Sequence, residues 1–185
     1  MYPARLHIMA LKVDPKLIHR LFYPQVPAVL SAEFKGKVSA MPVVSYASVS
    51  DSPPLVAVAC NPNGFTCKLA VKAKAFSLSM LDRAHLGAVE TLATTSGAKV
   101  KDKLKAAGLD HDSGDRLPVP VIKGAEATLE CSLKSKVRLG DHLLLVGRVE
   151  AAYSKGAFSE FWDFRRYRPI LYTGWKDRMT TYPDG

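Results

Sequence analysis

Residues 127 to 152 read Ala-Thr-Leu-Glu-Cys-Ser-Leu-Lys-Ser-Lys-Val-Arg-Leu-Gly-Asp-His-Leu-Leu-Leu-Val-Gly-Arg-Val-Glu-Ala-Ala. Ala127, Leu129, Cys131, Leu133, Ser135 and Val137 alternate with Thr128, Glu130, Ser132, Lys134, Lys136 and Arg138, the period of two expected of a long half-buried strand. Leu139-Gly140-Asp141 then turns the chain into a second strand over His142 to Ala152, so an antiparallel hairpin is predicted. Upstream, Ala28 to Glu33 and Val38 to Val44 form another predicted hairpin around Phe34-Lys35-Gly36-Lys37. Pro42 predicts a bulge or a lost ladder bond in its second strand. Leu55 to Cys60, apolar on both faces, and Phe76 to Leu81 read as further strands, with Ile170 to Thr173 as a short last one.

Helical signals gather in the middle of the chain. Asp14-Pro15 starts a short helix over residues 14 to 21. Thr66 to Lys74 follows a loop, residues 82 to 95 begin with Asp82 as a cap, and residues 98 to 107 end at Gly108. Asp110 to Pro120 reads as a polar connection. Strands at both ends without βαβ alternation disfavour a doubly wound sheet and favour a closed or partly open antiparallel barrel with helical insertions.

The 185 residues suit one domain, and 48% apolar with 23% charged residues is an ordinary globular balance. The net charge of +9, from 26 basic and 17 acidic residues, points to an anionic partner without choosing among nucleic acid, lipid and a phosphorylated ligand. Lys99, Lys101, Lys103 and Lys105 are read as the solvated face of a surface helix. Cys60, Cys67 and Cys131 lack the paired spacing of a zinc site and are expected as free thiols. No metal site is expected from the scattered His7, His19, His85, His111 and His142. No apolar run approaches the roughly 18 residues of a membrane span, so a cytoplasmic protein is expected.

Two segments carry the candidate chemistry. Ser45 to Ser52 sets hydroxyls and small side chains along irregular backbone, which either stabilise turns or leave room for a flat ligand. At Asn61 to Lys68 a helix start offers free amides with Thr66 and Lys68 beside them. The residues alone allow an anion site or an ordinary capped helix with a solvent lysine. Neither a Gly-x-Ser-x-Gly elbow nor a dinucleotide or Walker glycine pattern occurs.

Tyr23-Pro24, the segment from Met41 through Ser52-Pro53-Pro54-Leu55-Val56-Ala57-Val58, the loop to Thr66 and Leu139-Gly140-Asp141-His142 together resemble the flavin reductase-like domain, over about residues 20 to 175. The resemblance implies a mainly β fold, a six-stranded antiparallel Greek-key split barrel with peripheral helices, in a homodimer that holds FMN near the subunit interface. It places Val44, Ser45, Tyr46, Ala47 and Ser48 along the ring and ribityl chain, Cys60, Asn61 and Pro62 along the flavin, and Thr66 with Lys68 at the phosphate. Asn63-Gly64-Phe65 stands where the family often has Arg, and Phe76-Ser77-Leu78-Ser79 where many members have Asn. The aromatic tail Phe161 to Trp175 covers a flavin or packs as dimer surface.

An FMN-dependent oxidoreductase taking hydride from NAD(P)H is the activity so implied, passing electrons to flavin, iron, oxygen or a partner. His142 is the candidate catalytic or nicotinamide-contacting residue; the alternative is a strand start bonded to Asp141. A non-catalytic flavoredoxin-like carrier and a basic nucleic-acid-binding barrel are the competing functions. Scattered lysines and the lack of an ordered aromatic stacking surface disfavour the last.

Overall fold

The computed structural model describes residues 12–174 and 179–181. Eleven strands are present among them: β1 (Ala28–Phe34), β2 (Lys37–Val43), β3 (Tyr46–Asp51), β4 (Pro54–Cys60), β5 (Ala75–Met80), β6 (His111–Ser113), β7 (Pro120–Ile122), β8 (Ala127–Leu139), β9 (His142–Ser154), β10 (Ile170–Tyr172) and β11 (Met179–Thr181). Three α-helices accompany them: α1 (Phe65–Ala73), α2 (Leu86–Thr94) and α3 (Lys103–Ala106). Seven strands form one antiparallel sheet in the order β2-β1-β5-β8-β9-β4-β3, one strand more than the resemblance implies.

The outermost strands of this sheet, β2 and β3, are consecutive in the chain and joined only by Val44 and Ser45. Three residue steps span about 10 Å, so the sheet must curl until its ends approach. Inside the curl lie Ala28, Leu30, Ala32, Val43, Val56, Val58, Phe76, Leu78, Cys131 and Leu145, with Cys67, Leu69 and Ala70 of α1 packed among them. The intervening residues of the same strands, Val29 of β1 with Val38 and Ala40 of β2, join a second core with Leu81, α2, Leu104, Ile122 and Ile170. A strand period of two thus serves two cores, one on each face of β1 and β2.

Both predicted hairpins form. Lys35 and Gly36 both take positive φ, 53° and 72°, the pattern of a two-residue turn whose twist matches the strands. In the second hairpin Leu139 pairs with His142 across Gly140, whose φ is 56°. Pro42 pairs with Val29 without a register shift, because β2 is an end strand and proline is tolerated there. Asp14 caps a 3-10 helix, Pro15–Phe22, by accepting from the Lys16 amide at 2.9 Å, and Asp82 caps Arg83–His85 the same way through Ala84.

Two expectations change. The alternation of β8 does not sort into core and solvent, because bulges follow Glu130 and Leu133 and its outer half is exposed. Thr128 and Glu130, on the polar set of the alternation, are both buried: Thr128 pairs its hydroxyl with that of Ser79 at 3.0 Å, and Glu130 lies under the loop of residues 114–117, accepting from the amides of Asp115, Arg116 and Leu117 at 2.8 to 3.0 Å and from the Tyr153 hydroxyl at 2.7 Å. The helix over residues 98 to 107 shrinks to α3, capped by Asp102. The Lys101 carbonyl instead accepts from the Val38 amide at 3.0 Å, which holds this stretch against β2. Lys99, Lys101 and Lys105 are exposed, but Lys103 is buried. Trp175 of the aromatic tail lies outside the described residues.

Gly147 of β9 makes a close contact in the inner core. A Cβ there would sit 2.5 Å from the Phe76 ring and 2.9 Å from the Cys131 Cβ. Gly147→Ala is therefore expected to lose about 1–3 kcal/mol of stability, read as a lower urea midpoint at unchanged slope.

Candidate functional site

The C-terminal half of β2 and its two-residue exit wind past three hollows that all share Pro42. The largest, about 850 Å³, is lined by Met41 to Ser45, by Ala59, Cys60 and Asn61 at the end of β4, by Asp141 and His142 at the β8–β9 turn, and by Lys16, His19 and Tyr23. A second of about 430 Å³ lies between Tyr23, Pro27, Val44, Ala93, Thr94, Tyr172 and Met179. The third, about 360 Å³, is bounded by Met41, by Gly64, Phe65 and Thr66 at the start of α1, by Leu92, Ala93 and residues 95–97, and by Lys103. The first lies within the usual volume range of small-molecule sites.

Of the residues expected at a flavin, Val44, Ser45, Cys60, Asn61 and His142 converge on the largest hollow, and Thr66 lines the third. Tyr46, Ala47, Ser48, Pro62 and Lys68 line none of the three. The reason for Tyr46 is that its ring packs on the inner core and its hydroxyl donates to the Val26 carbonyl at 2.9 Å; burial pushes its pKa up. Ala47 and Ser48 lie on β3, an end strand, and are exposed. Lys68 is solvent-exposed on α1, whose buried residues are Thr66, Cys67, Leu69 and Ala70.

The third hollow has the chemistry of an anion site. The first turn of α1 directs free amides there with a partial positive charge. Thr66 is 3% exposed, with its hydroxyl 2.8 Å from that of Ser39. Lys103 is 4% exposed and has neither an ion pair nor a hydrogen bond among the described residues; burial holds its pKa below the ordinary lysine value. The stem is buried, but the ammonium is not sealed from solvent: it opens on the hollow it lines, where it can face an anion. Gly97 completes the wall, where any Cβ would collide with Ser39 and approach Phe65 to 2.9 Å. Lys103 was hidden in the sequence because it alternates with three exposed lysines. The nearest clue was Asp102, whose cap starts a helix that turns Lys103 and Leu104 inward.

His142 starts β9, bonds Asp141 and borders the largest hollow. Its Nδ1 lies 2.8 Å from an Asp141 carboxylate oxygen, and its ring borders the largest hollow. That bond occupies one ring nitrogen and leaves Nε2 as the free polar end. The Asp141 carboxyl is held below the usual carboxylate range by this bond.

The model of the flavin reductase like domain family matches residues 19–171. The chain belongs to the flavin reductase-like family. A flavin reductase of Pseudomonas putida is 32% identical over 140 residues, covering 74% of this chain and 78% of that protein. An uncharacterized protein of Aeropyrum pernix is 31% identical over 164 residues, covering 88% of this chain, and the chain spans only 62% of that relative's length. The crystal structure of an FMN-binding protein from Thermus thermophilus with bound 1-cyclohex-2-enone superposes with a TM-score of 0.78 at 30% identity, covering 100% of this chain and 98% of that one. Membership fits the donor set: hydroxyls, amides and a buried cation near a larger hollow suit a phosphorylated flavin. No helix among the described residues is long and apolar enough to cross a membrane, and no cluster of His, Cys, Asp and Glu among them could hold a metal ion.

Proposed function

We propose that this flavin reductase-like chain binds FMN and reduces it with NAD(P)H. The observation that carries the FMN assignment is the unpaired, buried Lys103 in the hollow that also contains Thr66 and the α1 amides. The 5′-phosphate would be held there by Lys103, Thr66 and the helix start, while Val44, Ser45, Cys60 and Asn61 would line the ring and ribityl chain. When bound, FMN supplies two-electron chemistry, accepting hydride and releasing electrons to an acceptor such as flavin, iron, oxygen or a partner protein. The chain's part is to position, exclude water and offer donors.

His142 and Lys16 border the largest hollow from opposite segments, the β8–β9 turn and the first 3-10 helix. His142 would orient the nicotinamide donor through Nε2. His142→Ala is expected to slow NAD(P)H oxidation about tenfold, the worth of one good hydrogen bond, with FMN affinity held within about twofold; unchanged rates would leave His142 as a turn residue only. Exposed Leu17, Ile18, Leu21 and Phe22 on the same 3-10 helix, each at least 41% exposed, would pack in a homodimer at this edge.

Fluorescence titrations with FMN and riboflavin test the assignment. A phosphate held by the Lys103 ammonium predicts FMN binding at least about tenfold tighter than riboflavin. Equal affinities would overturn the phosphate site.

A further inference from the structure

Cys60 ends β4 and Cys67 occupies the first turn of α1, eight positions inclusive around the loop Asn61-Pro62-Asn63-Gly64-Phe65-Thr66. Both are buried, and their sulfurs stand 2.6 Å apart. This is only about half an ångström beyond a covalent S–S bond of about 2.05 Å. Cys60 also borders the largest hollow, and the fully buried Cys67 lies in contact behind it, so a small solute reaches the pair from the Cys60 side. Cys131, the third cysteine, lies elsewhere on β8.

We propose that Cys60 and Cys67 form a redox-active dithiol that hydrogen peroxide closes to an intramolecular disulfide in the wall of the largest hollow. The electrostatics favour it. Cys60 donates its thiol hydrogen to Cys67, which lowers the Cys67 pKa; burial opposes that shift and Lys68 adds to it. The same bond, with burial, raises the Cys60 pKa, so the pair ionises at one sulfur and keeps a proton on the other. The helix start adds partial positive charge at Cys67.

The ionised sulfur attacks one peroxide oxygen, breaking the O–O bond and releasing hydroxide, and becomes a sulfenic acid. The second sulfur attacks that sulfur, the S–S bond forms, and the S–O bond breaks as hydroxide leaves with the thiol proton as water. The first hydroxide takes up the proton lost on ionisation. Two thiols are oxidised by two electrons, and one peroxide becomes two waters. Closure would staple the loop that separates the largest hollow from the third. The proposal needs no bound flavin and stands apart from the FMN reading.

The test uses the whole chain, reduced, desalted and treated with a small excess of hydrogen peroxide, followed by thiol titration in denaturant and peptide mapping by mass spectrometry. Titratable thiols are expected to fall from three to one, with a single link joining Cys60 to Cys67 that dithiothreitol reverses. Cys131→Ser should close the same link, while Cys60→Ser should stop at a sulfenic acid on Cys67 trapped by dimedone. Persistence of all three thiols, overoxidation without a link, or a link between chains or to Cys131 would overturn the proposal. The mapping on unsubstituted protein decides it even if a variant fails to fold.

Discussion

Lys103→Met is expected to weaken FMN binding about tenfold to a hundredfold, because a hydrogen bond to a charged group contributes about 1.5–3 kcal/mol and each 1.4 kcal/mol is about tenfold in affinity. Riboflavin, which lacks the phosphate, should bind the variant and the parent alike. The same substitution should leave the flavin-free melting temperature unchanged or raise it. Burial lowers the folded-state pKa of Lys103 below the ordinary 10.5, so near neutral pH the unfolded chain holds the proton more firmly. Stability attributable to this residue therefore rises as pH climbs from the folded value towards the unfolded one. Methionine fills the stem's space without the charge. Lower FMN affinity in a protein at least as stable would separate a ligand-binding cation from a folding one. Loss of FMN and riboflavin binding together would point to collapse of the hollow instead.

Glu130→Ala is expected to lower stability by about 3 kcal/mol or more, since three amides lose their acceptor and each stranded donor costs about 1–3 kcal/mol, partly relieved by water. For a chain of this length that is a fall of roughly 6–12 °C in melting temperature. Burial works against the Glu130 charge, but the Tyr153 hydroxyl and the amides of Leu117, Asp115 and Arg116 outweigh it and hold the carboxyl below the usual range. The sign follows. The stability this depressed pKa supplies is fully present above about pH 4.5, the unfolded value, and is lost as pH falls through the folded one. Thermal melts of the parent at falling pH should lose this increment, and those of Glu130→Ala should lack it. Equal pH slopes in the two proteins would show that the carboxylate does not anchor the loop of residues 114–117.

Both predictions rest on residues whose environment could not be read along the chain, whereas much of the scaffold could. The hairpins at Phe34 to Lys37 and Leu139 to His142 were legible because glycine and alternation act locally. Asp14 and Asp82 were legible as caps for the same reason, since each bonds an amide two residues away. Glu130 was misassigned because period two distinguishes the faces of a strand but not what covers them, and here the outer face is roofed by a distant loop. Lys103 was hidden because an alternating lysine run gives no sign of which member turns inward.

The candidate site was legible in part. Val44, Ser45, Cys60, Asn61 and His142 share one hollow although they come from three regions of the chain, and only the ordered set of motifs joined them in the sequence. Tyr46 directly follows the site residues Val44 and Ser45 in sequence, yet strand alternation turns it to the core and its hydroxyl to Val26. Lys68 fell one helical position too far along α1, where the pattern of buried residues turns it to solvent. The cation beside Thr66 comes from a different segment altogether, brought there by the Lys101 to Val38 backbone bond.

The most direct measurement is an anaerobic absorbance titration: purified protein is loaded with FMN, freed of excess, and then given NADH or NADPH. FMN is expected to remain with the protein after gel filtration, and its visible band to bleach on adding the nicotinamide. Retained FMN that bleaches with dithionite but with neither nicotinamide would contradict the reductase and leave an electron carrier. Failure to retain or bind FMN at all would contradict FMN binding by this chain.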